Sequence, residues 1–231
     1  NTQLLNGIQF YKTYAEEDKT KTANKLNNGI WADFYNSAFL TDTTGVQVYH
    51  KSKLVVGVET LPFRNIIEPL LGNVMLDFGG TVLTRATQEK REAFPLYSGV
   101  KISPVICYES VYGEFVTGYV RNGAQVLAIM TNDAWWGDTP GHKQHMAYAR
   151  LRAIETRRAV VRSANSGISG FISPLGEVTA KLPYNTKSVL SATVYPQKNI
   201  TLYVRYGDYI FRLGGFVAGL MLLFSFSRRK N

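Results

Sequence analysis

The sequence comprises 231 residues, of which 45% are hydrophobic, 13% aromatic and 19% charged, with a single cysteine and a formal net charge of +9. This length supports one domain with a substantial core, and the composition excludes a disordered tail or a collagen-like repeat. One cysteine excludes an intrachain disulfide framework and a zinc site built from several thiolates. The lone thiol is therefore either inert core filling or a reactive group.

The positive charge is unevenly distributed along the chain. Residues 205–231 contain five basic residues and one acid, a net of +4. The lysines and arginines of the preceding part are scattered and form no stripe interleaved with aromatic residues. Since such a stripe is the footprint of nucleic-acid binding, we expect no nucleic-acid partner.

The first half of the chain is predicted to hold strands separated by loops. The predicted strands span residues 4–10, 31–40 and 46–50, and the last two form a hairpin. The other predicted segments are an exposed polar loop at residues 13–28, a short helix at 63–71 and a turn-rich stretch at 77–97.

The second half alternates strands with helices. Its predicted strands span residues 100–107, 125–131, 159–163, 170–173, 178–182 and 189–194. Its predicted helices span residues 110–121 and 145–158. Alternation of this kind, with turn-linked strands at both ends, predicts an α/β sandwich with a mixed sheet.

The chain ends in an apolar stretch, residues 209–226, that carries one charge, Arg212. As a helix it would be about 27 Å long, enough to cross a hydrocarbon core of about 30 Å. Aromatic residues precede it and basic residues follow it, as at the two interfaces of a membrane span: Tyr203, Tyr206, Tyr209, Arg228, Arg229 and Lys230. We predict one transmembrane helix, with the preceding domain outside the cytoplasm. A buried C-terminal core helix is the alternative.

The single cysteine, Cys107, closes an apolar strand directly before a predicted helix. Amide donors at a helix N-terminus favour a thiolate and can stabilise a developing oxyanion. The position therefore suits a nucleophile, while a buried, inert thiol is the alternative. Spacing places no histidine near Cys107, and His142 with His145 lacks further metal ligands, so we expect no metal site.

Several short motifs share one order and spacing with a known family. They are YHKSKLV at residues 49–55 with Glu59, ICYE at 106–109, TNDAWWG at 131–137, QH at 144–145 and RSANSG at 162–167. Together they resemble the nitrilase superfamily and, more narrowly, its membrane-bound branch, the apolipoprotein N-acyltransferases. The resemblance covers essentially the whole chain. It implies a nitrilase-like α-β-β-α sandwich with mixed sheets at residues 1–204, followed by one C-terminal transmembrane helix at 205–231.

The resemblance implies a Glu-Lys-Cys triad. Cys107 matches the nucleophile that carries the acyl group as a thioester, and Lys51 matches the catalytic lysine, whereas Lys53 has the wrong register. An ammonium beside the thiol favours the thiolate and then stabilises the oxyanion together with the backbone N–H of Tyr108. The family's general-base glutamate would precede Asn1, so we expect this chain to lack one triad member and the upstream membrane helices.

Further residues match supporting positions of the family. Glu59 and Glu109 would hold Lys51 and the nucleophile loop by charge-assisted hydrogen bonds, ordinary ion pairing being the alternative. Asn132 would order the loop after its strand. One departure is Val56, where the family has proline. Residues 63–71 are candidates for lipid contact, and residues 135–136, two tryptophans, either shape an acyl pocket or pack in the core.

The resemblance implies transfer of the sn-1 acyl chain of a phospholipid to the α-amino group of a diacylglyceryl-cysteine lipoprotein. It implies no cofactor, a membrane partner and a place in the bacterial inner membrane, multi-pass in full length, with the catalytic domain on the periplasmic side. We expect a monomer. Two other functions compete: an amidase that hydrolyses a small C–N bond, for which the C-terminal helix has no use, and an inactive lipoprotein-binding module, which has no need of Cys107 paired with Lys51.

Overall fold

Four antiparallel strands form the first of two sheets in the computed structural model, which describes residues 2–56, 59–60 and 84–228. The strands are β1 (Leu4–Tyr14), β2 (Asn24–Lys25), β3 (Trp31–Asp42) and β4 (Gly45–His50). The long β3 pairs with β1 and, across a hairpin, with β4. The Asp42 carboxylate accepts the backbone N–H of Thr44 at 2.7 Å and so closes the hairpin turn.

The polar segment at residues 13–28 is more ordered than its sequence suggests. Residues 13–14 belong to β1 and residues 24–25 to β2, and the carboxylate of the buried Asp33 holds the part between them by hydrogen bonds. Asp33 accepts hydrogen bonds from Tyr14 at 3.1 Å, Thr20 at 2.8 Å and Thr22 at 2.8 Å. The prediction of an exposed loop is therefore only partly correct. The segment lacks an apolar pattern, but side-chain hydrogen bonds to one buried acid order it instead.

The second sheet is mixed and six-stranded, in the order β10-β9-β8-β7-β6-β5. Its strands are β5 (Phe94–Pro95), β6 (Lys101–Ile106), β7 (Val126–Thr131), β8 (Ala159–Ala164), β9 (Ser169–Ile172) and β10 (Val178–Leu182). The central strands β6, β7 and β8 run parallel and the outer pairs are antiparallel. Since parallel strands are buried on both faces, β7 is nearly continuously apolar and buried. The carboxyl ends of the three parallel strands lie at one edge of this sheet.

Helices pack against the second sheet, which also contacts the first sheet through β3 and β1. The two main helices are α1 (Gly113–Arg121) and α2 (Pro140–Thr156), and short 3-10 helices follow β6 and β7 at Cys107–Val111 and Asp133–Trp136. α2 begins where Thr139 accepts the Gly141 N–H at 3.3 Å, with proline in its first turn, where no amide partner is needed. The core joins both sheets and the helices.

Most predicted elements of the second half are confirmed, and one is wrong. Residues 189–194 form no strand, and Val189 is 90% exposed. The Gln197 N–H just beyond them donates to the Gln125 carbonyl at 3.2 Å. The strand-like composition was misleading because composition does not provide a pairing partner, and this segment pairs with no strand of either sheet. The predicted helix at residues 63–71 lies outside the described residues.

The C-terminal segment consists of the short α3 (Leu202–Tyr206) and the 20-residue α4 (Tyr209–Arg228). Val204 of α3 is fully buried in the core, and Arg121 donates to its carbonyl at 3.0 Å. None of the α4 side chains is buried, so the alternative of a buried core helix is wrong. Among the described residues, α4 is the helix long and apolar enough to cross a membrane, with a mean hydropathy of 1.8.

Candidate active site

Residues predicted to carry the chemistry meet at the carboxyl edge of the parallel strands. Cys107 follows β6, Asn132 follows β7, and Lys51 follows β4 of the facing sheet. All three line one cavity of about 960 Å³, with Glu59 and Tyr108. Strand ends separated by dozens of residues in sequence thus contribute to one concave site.

Lys51 is 1% exposed and is held by a carboxylate eight residues further on. Its Nζ atom lies 2.8 and 2.7 Å from the two carboxylate oxygens of Glu59. The Val55 N–H donates to the same carboxylate at 2.7 Å, and the Asn36 side chain donates to it as well. The ammonium is therefore fixed in the cavity by charge-assisted hydrogen bonds. Lys53, in contrast, places its Nζ 4.1 Å from the centre of the Tyr112 ring.

Cys107 begins its 3-10 helix in a left-handed backbone conformation, with φ of 49°. A residue other than glycine there costs about 1–2 kcal/mol, so surrounding contacts must stabilise the turn. The half-buried side chain lines the cavity. This tight turn between strand and helix exposes the Cys107 thiol to the cavity at the end of its strand.

Glu109 is fully buried and joins the Lys51 loop to the Cys107 turn. Its Oε1 accepts the N–H groups of Ser52 at 2.7 Å and Lys53 at 3.2 Å, and its Oε2 accepts the Ile106 N–H at 2.9 Å. Two tyrosine hydroxyls complete the set, Tyr49 at 2.9 Å and Tyr119 at 2.8 Å. Burial raises the pKa of this carboxyl, and the hydrogen bonds and the Lys51 charge oppose the rise.

The remaining predicted positions lie around the cavity mouth. Asn132 accepts the Ala134 N–H at 3.2 Å and so caps the 3-10 helix that carries Trp135 and Trp136. Both tryptophans line the cavity, and Trp135 is 57% exposed. The alternative that Trp135 packs in the buried core is therefore wrong, because the 3-10 helix directs its side chain away from the core.

The structure corrects the expectation that no histidine lies near Cys107. The Nε2 atom of His145 is 3.3 Å from the Cys107 carbonyl oxygen and 2.9 Å from Ser110 Oγ. Spacing cannot reveal a contact across 38 residues. The QH motif of residues 144–145 was the one available signal. Among the described residues, no group of three His, Cys, Asp or Glu side chains is arranged to hold a metal.

Burial also controls the protonation of His145. Removal from water lowers the pKa of its ring, against the opposing effect of Asp133. The unfolded chain takes up this proton near pH 6.5 and the folded protein only at lower pH, so acidification below about pH 6.5 costs stability. We expect the melting temperature of the wild type to fall more between pH 7.5 and 5.5 than that of His145→Gln. Equal falls in thermal melts of the two proteins would contradict this.

Comparison with known sequences identifies the class. Residues 11–200 match the carbon-nitrogen hydrolase family, to which this chain belongs. The amidase from Nesterenkonia sp. has the same fold, with a TM-score of 0.50 at 16% identity over 79% of this chain and 61% of that one. The predicted fold class, a nitrilase-like sandwich with mixed sheets and an apolar C-terminal helix, is confirmed.

Within this family, the chain is similar to apolipoprotein N-acyltransferases. It is 34% identical to that of Chlorobaculum tepidum over 204 residues, 85% of this chain and 38% of the relative. It is 32% identical to that of Pseudomonas paraeruginosa over 186 residues, 80% of this chain and 35% of the relative. The resemblance predicted from the motifs is thus confirmed, and the chain spans little more than a third of the length of these relatives.

Proposed function

We propose that the protein containing this chain is an apolipoprotein N-acyltransferase and that Cys107 carries the acyl group. The observation that supports this most directly is the cavity in which Cys107, at the end of a parallel strand, is joined by a buried lysine that a carboxylate holds in place. The similarity to relatives of that name supports the same activity. The apolar α4 beside the domain suits substrates that reside in a bilayer.

The first half-reaction takes an acyl chain from the sn-1 position of a phospholipid. The Cys107 thiolate attacks the ester carbonyl carbon, and the carbonyl electron pair moves to oxygen. Lys51 and the Tyr108 N–H stabilise this oxyanion. The oxyanion collapses and the ester C–O bond breaks. The lysophospholipid alkoxide takes a proton and departs, and the acyl group remains on Cys107 as a thioester.

The second half-reaction passes the acyl chain to a lipoprotein. The α-amino group of the diacylglyceryl-cysteine attacks the thioester carbonyl and loses a proton, and the thiolate leaves. Neither Glu59 nor Glu109 suits the role of the base that handles these protons, because the oxygens of both already accept hydrogen bonds from this chain. We assign them the positioning of Lys51 and of the nucleophile turn, and Asn132 the ordering of the tryptophan loop.

The cavity supports a large acyl donor. Its volume of about 960 Å³ lies at the upper end of the usual range for ligand pockets, about 300–1,000 Å³. Apolar side chains line much of it, namely Ile8, Val55, Val56, Ile106, Met130, Trp135 and Trp136. A small amide, the substrate of the competing hydrolase hypothesis, needs neither this volume nor this apolar lining.

We further propose that residues 1–204 form the catalytic domain and that α4, within residues 205–231, crosses the bacterial inner membrane. Arg228 at its end and the basic residues after it favour the cytoplasmic side for the C-terminus, which supports a periplasmic position of the domain. We propose that the enzyme is a multi-pass monomer in full length, with phospholipid and diacylglyceryl-lipoprotein as substrates.

Mass spectrometry of the full-length protein with phospholipid tests the proposed function. We expect a mass increase of one acyl chain on the peptide carrying Cys107, discharged when a diacylglyceryl-cysteine peptide is added. Cys107→Ala should form no adduct. An adduct that persists in Cys107→Ala, or its absence from the wild type, would show that Cys107 does not carry the acyl group. Ammonia release from small amides would favour the amidase instead.

A further inference from the structure

A buried polar cluster lies behind the nucleophile and has no role in the half-reactions above. It comprises Ser110, Asp133, His145 and Arg162, each no more than 2% exposed. Burying two charged side chains and a histidine is costly unless their partners are well arranged. Ser110 and His145 both contact the Cys107 carbonyl, so the arrangement of the cluster bears directly on the nucleophile turn.

One edge of the His145 ring is anchored. Its Nδ1 lies 2.9 Å from Asp133 Oδ1, and the Arg162 guanidinium donates to Asp133 Oδ2 at 2.6 Å. Arg162 also donates from Nε to the Ile168 carbonyl at 3.0 Å, and Thr131 donates to Asp133 at 2.9 Å. These contacts come from β7, β8 and the β8–β9 turn, so α2, which carries His145, is tied to the sheet at this point.

The other edge of the ring meets the nucleophile turn. His145 Nε2, Ser110 Oγ and the Cys107 carbonyl oxygen form a triangle with sides of 2.9, 2.8 and 3.3 Å. The Cys107 carbonyl and the Tyr108 N–H belong to one planar peptide group and point in opposite directions. Whatever fixes this carbonyl therefore fixes the direction of the Tyr108 N–H.

We propose that His145 is a positioning residue that fixes Ser110, whose hydroxyl donates to the Cys107 carbonyl, and that it thereby holds the Cys107–Tyr108 peptide plane and aims the Tyr108 N–H at the oxyanion. This rests on the proposed function, in which that N–H stabilises the tetrahedral intermediate. The left-handed backbone of Cys107 needs such support, since its strain would otherwise relax by rotating this peptide. His145 touches no substrate and acts only through the peptide group.

Two reactions of Cys107 separate positioning from general support of the fold. Iodoacetamide alkylates the thiolate by direct displacement of iodide, which forms no oxyanion. p-Nitrophenyl butyrate acylates it through a tetrahedral oxyanion that expels p-nitrophenolate. Both rates are followed by mass spectrometry of the peptide carrying Cys107, in full-length protein in detergent. A positioning effect on the Tyr108 N–H slows acylation alone, whereas damage to the fold changes both rates.

We expect His145→Asn, whose amide reaches Asp133 but not the turn, to slow acylation about 10- to 100-fold, since a misplacement of about 1 Å costs up to about 100-fold. Alkylation should stay within about twofold. His145→Gln, which returns a polar group to the Nε2 position, should recover most of the loss. The control is His142→Gln, one turn earlier on α2 and equally buried, with its ring against Tyr184.

Ser110→Ala tests the same idea if the histidine variants fold poorly, because it removes one corner of the triangle and leaves the ring in place. It should slow acylation several-fold and spare alkylation. Equal slowing of both reactions, or unchanged acylation in His145→Asn and Ser110→Ala, would overturn the proposal. Absence of acylation in the wild type would instead contradict the proposed function, so the two failures are distinct.

Discussion

Lys51→Met should lower the kcat of acyl transfer by about 1,000-fold, while Lys53→Met leaves it within about twofold. Methionine keeps most of the length of the lysine side chain and removes the charge that stabilises the oxyanion, a loss of the size seen for a single oxyanion donor. Lys53 is the matched control because its ammonium lies over the Tyr112 ring rather than in the cavity. Steady-state transfer from phospholipid to a diacylglyceryl-cysteine peptide measures both variants.

The Lys51 variant also leaves Glu59 without its cation, so stability must be followed in parallel. Thermal melts of both variants show how much of the loss comes from unfolding. A folded Lys51→Met protein with near wild-type kcat would contradict the assignment of this lysine. Equal losses from Lys51→Met and Lys53→Met would contradict the register on which it rests.

Glu109→Ala should lower the free energy of unfolding by about 3–5 kcal/mol, the usual cost of leaving buried polar groups without their charged partner. Three backbone N–H groups and two tyrosine hydroxyls donate to this carboxylate. All five would lose this acceptor, while the Ser52 N–H and the two hydroxyls would keep their contacts with one another. Glu114→Ala is the control, because its ion pair with Arg212 is exposed to solvent and contributes about 1 kcal/mol or less. Denaturant unfolding of the full-length protein in detergent measures both.

Glu109→Gln distinguishes charge from shape at the same position. Whichever oxygen becomes the amide nitrogen, that nitrogen faces backbone or hydroxyl donors, and two donors then oppose each other. We therefore expect Glu109→Gln to be almost as destabilising as Glu109→Ala. A loss no larger than that of Glu114→Ala would mean that Glu109 does not hold the two loops together.

Most of the motif residues were predictable because four of the five short motifs lie at the end of a strand, the exception being QH at residues 144–145 within α2. Lys51, Glu59 and Cys107 were identified by matching those motifs to a family, and the strands before them by apolar runs and turn residues. Local sequence patterns are sufficient to predict strand ends and turns, because these features depend on only a few neighbouring residues. Their meeting in one cavity depends on sheet order, which local patterns do not contain.

The failures have physical reasons as well. The QH motif singled out His145, but nothing in its own segment reveals that it contacts the Cys107 carbonyl in the turn after β6. Residues 189–194 resemble a strand in composition, but a strand also needs a pairing partner, and this segment pairs with no strand of either sheet. The role of Asp33 in ordering the polar segment was not predictable either, because its hydrogen-bond partners come from a different stretch of the chain.

The junction between α3 and α4 has a consequence for how substrates reach the cavity. Only Gly207 and Asp208 separate α4 from α3, whose Val204 is part of the core, and Gly207 has a left-handed backbone conformation, with φ of 69°, that favours glycine. Because the junction is this short, the domain can move little relative to the start of α4. If α4 crosses a bilayer as proposed, this short junction keeps the cavity close to the membrane surface, where the proposed lipid-linked substrates would reach it by lateral diffusion.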